Sequence, residues 1–312
     1  MDIYGEIASN RRKTILIILA FPLLLAALLY ITLWIFYAFA YDPLAGETVS
    51  GQVHGLFLVI LPVLSILSIG WMIISYFMGG NMMMSMADAK EIKRADAPEI
   101  YSLVENIAKV AGAPTPRVFI MNTSMLNAFA TGRDPQHAAI ALTTGIIGKL
   151  ERPELEGVIA HEMGHIINRD IRTTMLISTG VGVLTLIGNI LIRVRGGRGK
   201  SGRGTLVLNI VGVVLLIYGA FLAPVIMYAL SRQREYQADA TSAYLTRNPL
   251  ALASALEKIS GRSELEAASK NAFLSAVCIA NANGKGFSIS SLFATHPPIE
   301  KRVAVLKGIK QN

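Results

Sequence analysis

A chain of 312 residues, 53% of them hydrophobic and only 16% charged, with a mean hydropathy of +0.49, carries more apolar surface than an ordinary soluble domain can bury. The net charge of +8 does not point to nucleic acid, because the basic residues gather around the apolar stretches and form no stripe interleaved with aromatics; anionic lipid head groups suit them better. The single cysteine, Cys278, rules out an internal disulfide and fits a reducing compartment.

Arg11, Arg12 and Lys13 lead into the first of four stretches free of Asp, Glu, Lys and Arg, which run from Thr14 to Ala40, Gly55 to Gly80, Thr173 to Ile192 and Thr205 to Ser231. At about 1.5 Å per helical residue, each is long enough to cross roughly 30 Å of hydrocarbon, and four transmembrane helices are expected. The last pair, with Asn189, Asn209 and several glycines, also allows a reading as buried core helices. Ala38-Phe39-Ala40 resembles a signal cleavage site, but the apolar run before it is too long for a signal peptide, so the first stretch reads as an uncleaved anchor. The segment from Tyr41 to His54 lacks Lys and Arg, and the positive-inside bias then puts the N-terminus in the cytoplasm.

The expected organisation is a two-helix membrane anchor over 1–80, a polar insert over 81–172, a membrane hairpin over 173–231 and a second polar insert over 232–312. An even number of crossings separates the inserts, so both face the cytoplasmic side of the cell (inner) membrane in a multi-pass protein. The strongly basic connection from Arg193 to Arg203 opposes a full crossing by the hairpin, whereas the length of its helices favours one.

Within the first insert, the Met82-Met83-Met84 run reads as packing at a membrane exit. Ile100, Leu103, Val104, Ile107 and Val110 recur at helical spacing and predict an amphipathic helix from Ala97 to Ala111, ended by Pro114 and Pro116. Val118 to Met121, Ala128 to Ala130 and Ala138 to Leu142 predict three short strands. Pro153 suits the first turn of a further helix, and Glu154 and Glu156 follow where the helix dipole favours acids, so this helix should run beyond His165.

On that helix lies His161-Glu162-Met163-Gly164-His165. Residues four apart share a helical face, so both imidazoles can reach one metal ion, while Glu162, about 100° round the helix, can take a proton from water there. Neutral imidazole suits zinc, and a catalytic zinc has three protein ligands with the fourth position left open. The best third candidate is Glu235, just after the fourth apolar stretch, where the hairpin returns the chain to the face it left. Asp239 falls one helical turn later and is placed to accept a hydrogen bond from the outer nitrogen of a liganding histidine.

These residues, together with Asn127-Ala128-Phe129-Ala130-Thr131-Gly132, the segment from Leu155 to Asp170 and Thr295-His296-Pro297-Pro298, resemble the M48 metallopeptidases over nearly the whole chain. The resemblance implies an α+β zincin-like catalytic domain joined to a mainly α-helical membrane region. It implies one zinc per subunit held by His161, His165 and Glu235, with Glu162 as general base and Asp239 behind the ligands. It further implies substrate binding along Asn127, Ala128, Phe129 and Ala130, an edge strand that pairs with extended polypeptide. An exposed edge grips any chain through its backbone and so gives broad specificity. His296 would face the substrate and help stabilise the oxyanion, although His-Pro-Pro is also a rigid turn before a C-terminal helix; Arg302 is a weaker candidate for that role. His54 and His137 have no acidic or histidine partner at ligand spacing and read as structural or exposed. Quality control of misfolded or damaged membrane proteins, with a stress-response role, is the activity implied; the partners are then unfolded or membrane protein substrates and the lipid bilayer.

Rival readings meet obstacles in the same residues. A di-iron oxidase needs a second Glu-x-x-His besides the one ending at His165, and the chain has none. An intramembrane protease would bury its motif in a span, but Glu151, Arg152, Glu154, Glu156, Arg169 and Asp170 flank this one. A non-proteolytic scaffold or chaperone with a structural zinc would close all four positions, usually with cysteines, and none lies nearby.

Overall fold

The computed structural model describes residues 26–34, 48–193, 234–266 and 299–309, with scattered positions elsewhere between 12 and 37 and between 209 and 216. Helix α1, Val49–Met86, is opened by Thr48, whose hydroxyl accepts from the Gly51 N–H at 3.1 Å. Its 38 residues span about 57 Å, well beyond the expected 55–80 stretch and beyond the thickness of a bilayer core. The surplus has a use. Large apolar side chains from Leu56 to Met78 are exposed along α1, whereas Met83 and Met84 are buried, so the C-terminal turns leave the apolar zone and pack on the polar insert. Among the described residues, α1 is the one helix long and apolar enough to cross a membrane. The first and fourth apolar stretches, and the basic connection after Arg193, lie largely outside the described residues.

A four-stranded sheet follows, built from β1 (Ala89–Ile92), β2 (Arg117–Met121), β3 (Ala128–Gly132) and β4 (Ala138–Thr143) in the order β1-β2-β4-β3. β2 and β4 pair in parallel, Phe119 against Ala141, and both outer strands pair antiparallel to them. Helix α2, Pro98–Val110, forms as its apolar spacing predicts. Strand β1 has no counterpart in the pattern of the sequence. It is four residues long with Lys90 and Glu91 at its centre, which suits a sheet edge guarded by charge.

Both faces of the sheet are covered, which explains why its strands read as continuous apolar runs rather than alternating ones. Val118, Ala128, Ala130, Ile140 and Leu142 join one core with Leu103 and Ile107 of α2 and with α4, Arg152–Ile167. Phe119, Met121, Phe129, Ala139 and Ala141 face the other way, onto Met72, Met83 and Met84 of α1 and onto Met175 and Leu176 of α5, Ile171–Arg193. A short helix α3, Thr144–Lys149, links β4 to α4. The second insert adds α6 over residues 234–246, α7 (Pro249–Glu266) and α8 (Ile299–Gly308). Helix α7 packs between α4 and α8, and Val303 and Leu306 of α8 complete the first core. The arrangement is α+β and mostly helical, and it sandwiches the sheet between α4 and the ends of the apolar helices.

Candidate metal centre

Helix α4 starts with a capping box in which the Glu151 N–H donates to Glu154 Oε2 at 2.8 Å, and Pro153 sits in the first turn. It is buried along most of its length, with His161 2% and Glu162 4% exposed. Glycine at two positions lets neighbouring helices approach it. A Cβ on Gly164 would meet Ala238 Cα of α6 at 3.1 Å, and one on Gly157 would meet the Leu252 backbone nitrogen of α7 at 3.1 Å. Ser242 of α6 adds a hydrogen bond from its hydroxyl to the Gly157 carbonyl at 2.7 Å. This close contact carries Glu235 and Asp239, both buried, up to the histidines.

His161, His165 and Glu235 each offer a donor atom, and these atoms lie within 4.8 Å of one another. The two Nε2 atoms are 3.2 Å apart, and each stands 3.6 Å from an oxygen of Glu235. The outer nitrogens are equally constrained. His161 Nδ1 is 3.0 Å from Asp239 Oδ1, and His165 Nδ1 is 3.0 Å from Asp170 Oδ2. With Nδ1 directed at an aspartate, each Nε2 faces inward, toward the other ring and toward a carboxylate. Such a pocket calls for a cation. Burial disfavours charge on His165, but the carboxylates of Asp170, Glu235 and Glu162 outweigh it and push the imidazole up to about 10. His161 is raised as well: burial opposes the charged form, and hydrogen bonding to Asp239 and Glu235 overcomes both that and the nearby Arg302 charge.

The donor set fits zinc. With zinc–nitrogen and zinc–oxygen bonds of about 2.0–2.2 Å, tetrahedral ligand atoms stand roughly 3.3–3.5 Å apart, against 3.2 Å between the rings and 3.6 Å from each ring to a different oxygen of Glu235. Two imidazoles and one carboxylate match its borderline softness, and among the described residues no fourth metal-ligating side chain joins the cluster.

Arg302 of α8 stands in a different place from the one anticipated. It is fully buried and holds Asp239 through Nε to Oδ2 at 2.8 Å and Nη2 to Oδ1 at 2.6 Å, so its charge is spent inside the fold and not offered to a substrate. The expected exposed edge is also revised. β3 is indeed an outer strand of the sheet, but Asn127, Ala128, Phe129 and Ala130 are all buried, because α4 packs on one side of the strand and α1 and α5 on the other. The Thr143 N–H donates to the Asn127 carbonyl, so antiparallel alternation turns the N–H and C=O of Ala128 and Ala130 away from β4, on the strand's outer side. His137 does have an acidic partner, Asp134 at 2.7 Å, which Arg133 also approaches at 3.6 Å; His54 contacts Ser50 and Tyr30. His296 and Cys278 lie outside the described residues.

Asp170 is the functional group that pattern-reading passed over. The chain leaves α4 through Arg169 at φ 56°, which folds the next residue back so that the Asp170 N–H reaches the His165 carbonyl at 3.3 Å and its carboxylate reaches the ring. A non-glycine residue in this conformation costs about 1–2 kcal/mol, a local strain held at the site itself.

A profile of peptidase family M48 matches residues 94–310, which include every residue of the cluster. The chain belongs to peptidase family M48. Among curated relatives, a "Protease HtpX homolog" of Bacteroides fragilis strain YCH46 is 35% identical over 310 residues, covering 96% of each chain. One from Ligilactobacillus salivarius strain UCC118 is 39% identical, covering 96% of this chain and 98% of its own. One from Levilactobacillus brevis strain ATCC 367 is 38% identical, covering 98% and 99%. The crystal structure of S. mikatae Ste24p aligns over 97% of this chain and 66% of that one, with 19% identity and a TM-score of 0.48. M48 membership and the cluster on α4 and α6 thus coincide on the same stretch of chain.

Proposed function

We propose that this M48 peptidase is a membrane-anchored zinc endopeptidase in which His161, His165 and Glu235 hold the metal and Glu162 is the general base. The observation that carries the reading is the convergence of two imidazoles and one carboxylate, from helices 70 residues apart (235 − 165), beside a buried Glu162. Bound there, zinc would acidify a water molecule and stabilise negative charge developing on the scissile carbonyl. Glu162 would take a proton from the attacking water as its oxygen adds to the carbonyl carbon, and would deliver that proton to the departing amine nitrogen as the C–N bond breaks. Asp239 and Asp170 keep the imidazole protons on Nδ1, which leaves both Nε2 atoms free to ligate. The outward direction of the N–H and C=O groups of Ala128 and Ala130 supports the addition of an extended peptide as a further strand, which requires this buried strand to be uncovered first. His296 is proposed to approach the same cleft and steady the oxyanion.

The length and apolar exterior of α1 support anchoring in a bilayer, and the basic residues at 11–13 support a cytoplasmic site. Substrates reached from there would be unfolded or damaged segments of membrane proteins, in keeping with a role in quality control and stress response. The test compares wild type with Glu162→Gln in detergent, with zinc and an unfolded protein as substrate. The variant retains metal and loses about 10²–10⁴-fold in cleavage rate; equal cleavage by both proteins would remove Glu162 from the mechanism.

A further inference from the structure

Arg302 is a cation with no exposed atom, planted next to a site meant for another cation. Helix α8 turns Val303 and Leu306 into the core and Arg302 toward α6, where burial of its charge is offset only by pairing. The pairing is specific. Its Nε and Nη2 engage both oxygens of Asp239, at 2.8 and 2.6 Å, and its Nη1 stands 3.2 Å from Glu235 Oε2. Nη2 also lies 3.4 Å from His161 Nδ1. Asp239 Oδ1 is nearer to that nitrogen, at 3.0 Å, and is an acceptor, so the ring proton goes to the aspartate and the arginine acts on the histidine through it.

We propose that Arg302 is a positioning residue of the metal centre: by fixing Asp239 and Glu235 it makes the C-terminal helix, which supplies no ligand, the element that governs how firmly the centre holds zinc. With both oxygens held by the guanidinium, Asp239 cannot swing onto the metal, where it would close the position that a hydrolytic zinc keeps open. The same fork holds Asp239 against His161 Nδ1, and the third nitrogen steadies Glu235 from behind. A lysine supplies one point charge and cannot make these contacts together, because only the planar guanidinium presents parallel donors to a carboxylate edge while reaching a second carboxylate. Helix α8 thereby becomes part of the centre although it lies 137 residues beyond His165 (302 − 165).

The inference rests on His161, His165 and Glu235 being the metal ligands, and the experiment separates the two claims. Zinc affinity is measured by chelator competition in the full-length detergent-solubilised protein, and the absorption of the cobalt-substituted protein reports ligand geometry. The proteins are wild type, Arg302→Lys, Arg302→Met and Leu306→Ala, the last as a control that loosens α8 without touching the centre. Arg302→Lys remains folded and loses 10–100-fold in zinc affinity, with an altered cobalt spectrum, whereas Leu306→Ala is less stable but keeps the wild-type spectrum. Should Arg302→Met fail to fold, Arg302→Lys with Asp239→Asn completes the comparison, and the pair is non-additive in affinity. Wild-type affinity and spectrum in Arg302→Lys, or the same changes in Leu306→Ala, would overturn the proposal. Absence of zinc binding in wild type would instead overturn the metal centre on which it rests.

Discussion

Asp170 Oδ2 lies 3.0 Å from His165 Nδ1, on the side of the ring opposite the Nε2 that meets His161. The aspartate therefore sets both the proton position and the ring angle of one donor, as Asp239 does for the other. Asp170→Ala frees the ring to rotate and to carry its proton on Nε2, and zinc affinity falls about 10–100-fold. Chelator competition measures this, and an unchanged affinity would show that α4 alone orients His165.

Gly164 sits between the two histidines and touches α6. An added methyl would stand 3.1 Å from Ala238 Cα and 3.2 Å from Thr241 Cβ, tighter than ordinary packing, so α6 must move and Glu235 moves with it. Gly164→Ala is expected to cost about 1–3 kcal/mol in stability and to weaken zinc binding at the same time. Gly148→Ala in α3, where the added carbon meets nothing within 4 Å, should be close to neutral by thermal unfolding. Equal behaviour of the two variants would refute the close-contact argument.

Glu154 ties α4 to α7 by accepting from Ser254 Oγ at 2.6 Å and Lys258 Nζ at 2.7 Å. Burial pushes its carboxyl up, but the hydrogen bonds from Lys258, Ser254 and the Glu151 N–H together hold it below the usual glutamate range. A depressed folded pKa contributes stability that is present above the unfolded value of about 4.3 and is lost as pH falls through the folded one. Glu154→Gln should cost about 1–3 kcal/mol at pH 7. The gap between the two melting temperatures narrows below about pH 4. A gap independent of pH would mean that the charge of Glu154 plays no part.

Much of this was legible in the sequence where the signal is local. The apolar spacing of α2, the proline-and-glutamate start of α4 and the four-residue interval between His161 and His165 all depend on neighbours within a few turns. Strand β1 was not, because Ala89-Lys90-Glu91-Ile92 forms by pairing with β2 and has no apolar alternation of its own. The burial of Asn127 to Ala130 depends on helices far away in the chain that cover both faces of β3. Arg302 was visible only as a weak candidate to face the substrate, and its inward pairing was hidden for the same reason: its partner Asp239 is 63 residues away, and nothing near Arg302 marks it as an inward-facing charge. Asp170 was visible as an acid after the motif, but only the turn at Arg169 shows that it folds back onto His165.

The most direct test of the whole account is a zinc count on purified protein with and without the carboxylate that arrives from α6. Wild type and Glu162→Gln should each carry one zinc per chain after dialysis against metal-free buffer, and Glu235→Ala should lose it under the same conditions. Full retention of zinc by Glu235→Ala would contradict the account, because the two histidines would then be holding the metal without the helix that the fold brings to meet them.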